Sequence, residues 1–144
     1  MPNDKDTIRF VERVPLFQNL NHRQIEILAK RMVDREFPAG ATIVTQGQGG
    51  EGLFIVALGK AEAIRERRDG ARVTVNTFGP TDFFGELALL DDGPRTASVV
   101  TVEPTRCLVL NRWDFLAEVR QDTEMAILIL QELAKRFRLA LEAM

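Results

Sequence analysis

Two side chains of opposite charge, Glu86 and Arg95, stand nine residues apart in the stretch FGELALLDDGPRTAS, residues 84–98. A guanidinium presents a planar fork of donors that matches the oxygens of a phosphate. Around it the chain is built for close approach. Gly85 lets the backbone come near a bound group. Glu86 to Leu90 has room for one helical turn, whose first N–H groups would point at an anion. Thr96 and Ala97 are small enough to leave their backbone N–H groups accessible. Glu86 cannot serve the same group, because like charges repel. A carboxylate beside a phosphate site is suited to accepting from sugar hydroxyls, as it does for ribose in dinucleotide-binding folds. The competing reading is a surface ion pair bracing a turn, worth about 0–1 kcal/mol, which does not need the flanking pattern. Asp91 and Asp92 read as turn residues.

A ligand with ribose and phosphate held close together meets both ends of this segment. A cyclic nucleotide monophosphate has that shape: one negative charge, a free 2′-hydroxyl, and a base on the far side. The rest of the composition leaves little for other chemistry. One histidine, His22, lies outside the segment and reads as a surface helix residue, and no HExxH, GxSxG or GxxxxGK[ST] pattern occurs. The one cysteine, Cys107, excludes an intrachain disulfide and a cysteine-held metal cluster, and reads as a buried strand residue. We therefore expect no catalysis, no metal and no cofactor beyond the ligand itself, and a reducing cytoplasm as the compartment. A net charge of -2 gives no basic field for nucleic acid. No basic recognition segment or helix-turn-helix follows the last helix, so no direct nucleic-acid contact is expected. Apolar runs such as Met125 to Leu130 are too short to span a bilayer, so no membrane segment is expected.

The elements that must position these residues follow from pattern. With 144 residues, 45% apolar and 28% charged, the chain suits one globular domain with its own core. Thr7 to Val14 is amphipathic and is interrupted by Pro15. Asn21 with Gln24 forms a capping box for a helix carrying Ile25, Leu28, Ala29 and Met32, predicted to run up to Phe37-Pro38-Ala39-Gly40. Strand character follows at Thr42–Val44, then a GQGGEG turn and the buried run Leu53–Leu58. An Asp-Gly hairpin joins Ala61–Glu66 to Val73–Val75, and Ala97–Thr101 and Cys107–Leu110 complete a set of short strands typical of a sandwich or barrel. Asn111 caps a helix in which Trp113 and Phe115 are predicted core. Asp122 or Thr123 caps a longer one to about Glu142, striped by Ala126, Leu130, Leu133, Phe137 and Ala140. That helix is apolar on more than one face and should bury against its own domain and against a ligand, a partner chain, or both.

The stretch FGELALLDDGPRTASV resembles the phosphate-binding cassette of cyclic nucleotide-binding domains, found in cyclic nucleotide-gated channels, kinase regulatory subunits and catabolite activator-like proteins. RVPLFQNL, PAGATIVTQGQGGEGLFIVALGKAEA and FGPTDFFGELAL extend the resemblance over nearly the whole chain. It implies an α+β fold: an eight-stranded antiparallel β-roll (jelly roll) over residues 37–111, N-terminal helices over 1–36, and C-terminal hinge and lid helices over 112–144. The whole chain, 1–144, is then a single cyclic nucleotide-binding domain, with Met1 and the N-terminal helix making a free-standing bacterial member the expectation. Carried over by position, Glu86 binds the ribose 2′-hydroxyl and Arg95 clamps the cyclic phosphate. Gly85, Leu87, Ala88, Thr96 and Ala97 add backbone contacts, and Phe84, Val73 and Leu133 complete the ligand set. Thr96 stands where a hydroxyl reaches the guanine amino group in cGMP-responsive relatives. Arg136 stands where channels place a lid arginine, although Lys135 and Arg138 beside it also read as a solvated basic face. The implied function is a cAMP or cGMP sensor, with cAMP favoured, that signals through its C-terminal helix to a protein partner or by self-association. The alternatives are an interaction module with a vestigial pocket, or the sensor part of a larger channel or transcription regulator.

Overall fold

The computed structural model describes residues 5–91 and 93–144, so Met1 and the turn residue Asp92 lie outside it. Helix α1 (Lys5–Glu12), a first 3-10 turn (Pro15–Phe17) and α2 (His22–Arg31) lead into strands β1 (Val33–Phe37), β2 (Thr42–Val44), β3 (Gly52–Leu58), β4 (Ala61–Glu66), β5 (Arg72–Phe78) and β6 (Phe83–Phe84). A second 3-10 turn (Glu86–Leu89) precedes β7 (Ser98–Thr101) and β8 (Thr105–Asn111), and α3 (Arg112–Gln121) and α4 (Thr123–Glu142) close the chain. The strands form two four-stranded sheets, ordered β1-β8-β3-β6 and β2-β7-β4-β5. Every pairing is antiparallel, and the fold is the α+β roll that the sequence implied.

Strands β3 and β8 are apolar on both faces because both faces are covered. Leu53, Ile55, Leu108 and Leu110 face a core shared with the helices, which contribute Val11, Phe17, Leu28, Phe115 and Ile129. The alternate residues Phe54, Val56, Cys107 and Val109 face the interior of the roll, against Ala61, Ala63, Phe78, Phe84 and Val99. Period-2 alternation thus sorts one continuous hydrophobic run into two cores. The helix starts are capped as expected. Asn21 accepts from the Gln24 N–H at 2.8 Å while the Gln24 side chain accepts from the Asn21 N–H at 2.9 Å. Asn111 accepts from the Asp114 N–H at 2.9 Å, and Asp122 from the Met125 N–H at 3.0 Å.

Two expectations are corrected. The second helix ends at Arg31 rather than reaching residue 36: Met32 is already extended (φ -77, ψ 147) and Val33–Phe37 pairs with β8. The strand is a charged edge, with Asp34 held by Arg106 at 2.7 Å and Arg35 by Glu51 at 2.9 Å. Charged edges block strand-to-strand association, and here they also conceal the strand from hydrophobic patterning. Trp113 is not core; it is exposed, and the Arg112 guanidinium lies 4.5 Å from its ring centre. The stripe expected along α4 is divided, with Leu133 packed against the helical core. Met125, Ile129 and Glu132 are buried, whereas Leu130 and Phe137 of the expected stripe are 52% and 66% exposed. Apolar residues therefore lie on both sides of α4, and Glu132 is a buried charge among those that face the core.

The C-terminal helices are tied back to the N-terminal ones by polar bonds. Arg31 donates to Asp114 at 3.0 Å and to Glu118 at 2.8 Å, joining α2 to α3. Gln24 donates to Asp122 at 3.1 Å, at the junction of α3 and α4.

Candidate functional site

The loop between β6 and β7 carries the Glu86 and Arg95 pair, and its conformation is fixed by glycines at two places. Gly85 sits in the left-handed region (φ 82) and starts the Glu86–Leu89 turn. That turn is a single 3-10 turn of four residues, too short for a helix dipole to matter, so the guanidinium must supply the positive charge. The glycine-rich loop before β3 runs alongside Arg95. The Gly47 N–H donates to the Arg95 carbonyl and the Arg95 N–H to the Gln48 carbonyl, each at 2.8 Å. A Cβ on Gly50 or on Gly85 would overlap the Arg95 guanidinium, so both glycines are needed where they stand. After the 3-10 turn, the Asp91 side chain accepts from the Gly93 N–H at 3.0 Å.

Arg95 is 8% exposed. One terminal nitrogen donates to the Gly52 carbonyl at 3.0 Å, and its Nε is buried with no hydrogen-bond partner. The guanidinium also lies 6.0 Å from the ring centre of Phe54, which stacks on Phe84 at 5.2 Å. Burial lowers its pKa, and the fields of Glu51 and then Glu86 push it back up. An arginine stays charged under these conditions. Among the described residues no carboxylate lies within ion-pair distance of it, which makes it a buried cation in need of an anion.

A cavity of about 380 Å³ opens onto this cation. Of the residues singled out from sequence, Phe84, Gly85, Glu86, Leu87, Ala88, Arg95, Thr96, Ala97 and Arg136 line it together. Two do not. Val73 pairs with Arg65, on the same face as the Ala63–Asn76 pair but farther toward the hairpin end, beyond the cavity. Leu133 packs into the helical core instead. Sequence reading missed Val44, Ala63, Asn76, Phe78, Phe83 and Val99, which come from β2, β4, β5, β6 and β7. The alternation along β4 and the apolar Phe83-Phe84 pair were the available signals. Among the described residues no group of metal-ligating side chains is assembled. The arrangement could therefore take a compact anion at Arg95, with a carboxylate at Glu86 and apolar and aromatic side chains on the same cavity wall.

The model of the cyclic nucleotide-binding domain matches residues 34–122. The cyclic AMP receptor protein of Thermus thermophilus is 38% identical over 124 residues, covering 86% of this chain and 57% of that protein. The cAMP-dependent protein kinase regulatory subunit of Aspergillus fumigatus is 38% identical over 106 residues, 74% of this chain and 25% of the relative. The chain thus spans about half, or less, of the length of these curated relatives. Among solved structures, the N-terminal domain of a transcriptional regulator from Streptomyces coelicolor superposes with a TM-score of 0.83 at 31% identity, covering 94% of this chain and 96% of that one. The matched residues begin in β1 and extend through the cassette into α3, so the shared region holds the roll and the buried cation alike. The chain belongs to the cyclic nucleotide-binding domain family, a family of regulatory binding modules rather than enzymes.

Proposed function

We propose that the domain is a cyclic nucleotide sensor, for cAMP before cGMP, with Arg95 on the cyclic phosphate and Glu86 on the ribose 2′-hydroxyl. One observation carries the reading: a buried arginine with no carboxylate partner among the described residues, its Nε unpaired, cradled by two glycines at the wall of a cavity. A phosphate monoanion supplies both the charge and the acceptors that the guanidinium needs. The preference for cAMP rests on the names of the two curated relatives above, a cyclic AMP receptor and a cAMP-dependent kinase subunit. Thr96, on the same cavity wall, leaves cGMP as the second ligand.

Calorimetric titration with cAMP and cGMP tests this, with Arg95→Ala alongside. Truncating a buried, hydrogen-bonded charge costs about 2–5 kcal/mol, roughly 30- to several-thousand-fold in affinity. If the variant binds as tightly as wild type, the phosphate is not held there.

The output is the outer face of α4. Ile127, Leu130, Phe137 and Leu141 are 48%, 52%, 66% and 52% exposed along one side of a 20-residue helix. Such a stripe is a protein-binding surface, for a second copy of the chain or another protein, and we place the action in the cytoplasm. Phe137→Glu and Leu130→Glu should abolish the association and leave nucleotide binding intact. Sedimentation and pull-down that are insensitive to both changes would reject this surface.

A further inference from the structure

The inner face of α4 carries one residue that its packing does not call for. Met125, Ile129 and Glu132 follow one another along this face at helical spacing, and Arg136 continues it. An apolar side chain at 132 would bury more cheaply, yet Glu132 is 5% exposed. A carboxylate is costly to bury unless its oxygens are engaged. Both are. Oε1 accepts from Gln18 Nε2 at 2.8 Å, just after the first 3-10 turn, and Oε2 lies 3.6 Å from Arg136 Nε. That second distance is an ion pair too long to be a hydrogen bond, so the buried Nε keeps its donor capacity. The Arg136 guanidinium is held from another side by Phe83, 4.5 Å from the ring centre, and the residue lines the cavity that contains Arg95.

We propose that Glu132, itself anchored by Gln18, is a positioning residue that presets Arg136 against Phe83 at the cavity wall, so that the arginine meets the base of the bound nucleotide without first being ordered. This rests on the sensor reading above. A free arginine loses rotamer freedom when it closes on a ligand; one already fixed by a carboxylate and a ring has lost it in advance. The guanidinium then presents donors and a flat cation to a purine, whose ring nitrogens accept and whose π face stacks.

The test is a double-mutant cycle by calorimetry with cAMP, using wild type, Glu132→Gln, Arg136→Ala and the double variant, with Arg95→Ala as the control for the site itself. Glu132→Gln should weaken binding about 3- to 10-fold, the range for ordering one long side chain. It should add nothing further in the Arg136→Ala background. Glu132→Asp should restore part of the loss. Should Glu132→Gln fold poorly, Gln18→Ala provides the same cycle, with a smaller loss that again vanishes without Arg136. Wild-type affinity in Glu132→Gln, or an equal loss with and without Arg136, overturns the proposal, because a merely structural glutamate would act independently of the arginine. If Arg95→Ala removes binding while Glu132→Gln does not change it, the positioning role fails alone. If folded wild-type protein binds neither cAMP nor cGMP, the sensor reading fails and takes this role with it.

Discussion

Replacing Gly50 by alanine should cripple ligand binding although Gly50 is exposed and its backbone is in an ordinary conformation. The added Cβ would fall on the Arg95 Nε, Cζ and one terminal nitrogen at once. The guanidinium must move, and because Arg95 is 8% exposed the room available to it is the cavity itself. Two consequences can be sized. Moving it breaks the 3.0 Å bond to the Gly52 carbonyl, worth about 1.5–3 kcal/mol for a charged donor. It also takes the cation off the position proposed for the phosphate. The charge is still present, so the loss should fall near the low end of the range for a truncated buried charge, about 2 kcal/mol or roughly 30-fold. Gly49 is the matched control, since a Cβ there meets nothing within 4 Å. Calorimetry with cAMP on Gly50→Ala, Gly49→Ala and Arg95→Ala should rank them with Gly49→Ala near wild type and Arg95→Ala weakest. Equal affinities for the two glycine variants would refute the placement of the phosphate at Arg95.

Other regions give independent tests. Thr81 is a β-branched residue at φ 75, an unfavourable conformation costing about 1 kcal/mol or more, so Thr81→Gly should raise the melting temperature by about 2–4 °C in calorimetric scans; a fall would mean that its side-chain contacts outweigh the strain. Burial pushes the Cys107 thiol up to about 12 against the pull of Arg35, so it should resist a thiol reagent at pH 8 in the folded protein and react in denaturant. Because the folded state holds that proton more tightly, stability should fall as pH rises from the ordinary thiol range toward about 12, and rapid labelling of the native protein would contradict the buried site. The Asp122 carboxyl is held below its ordinary value by the Met125 N–H and the Gln24 amide, so its contribution is present at neutral pH and is lost as pH falls through the lowered value. Asp122→Asn keeps an acceptor for the cap but should flatten the acid side of the denaturation profile; an unchanged profile would show that the carboxylate is not what titrates.

How much of this was legible depends on what each residue's signal reports. The capping residues Asn21, Asn111 and Asp122 were readable because a cap is a local event between residues three apart. The cassette was readable because its glycine, carboxylate and arginine lie in one short segment. What was hidden depends on the other sheet or on burial. Strand β1 carries charges that report its edge position rather than its pairing. The register between β4 and β5 shifts between Ala63 and Ile64, and counting along β5 does not reveal which of its residues reach the cavity. Gly50 reads as one member of a loose turn, and only the fold shows that it touches Arg95. On α4, apolar residues occur on more than one side, and pattern alone does not reveal that Glu132 and Arg136 share the core-facing side with Met125 and Ile129.

The length of α4 has a mechanical consequence. Its anchored end is at Met125, which is 1% exposed, while residues 137–144 carry no buried position. At 1.5 Å per residue, Met125 and Leu141 are about 24 Å apart along a rigid rod. A tilt of about 10° about the anchored end would therefore sweep Leu141 through roughly 4 Å, about the width of a side chain. Arg136, about 16 Å along the same rod, would move roughly 3 Å in that tilt, so a shift of the helix at the cavity wall would be carried to its exposed end undiminished.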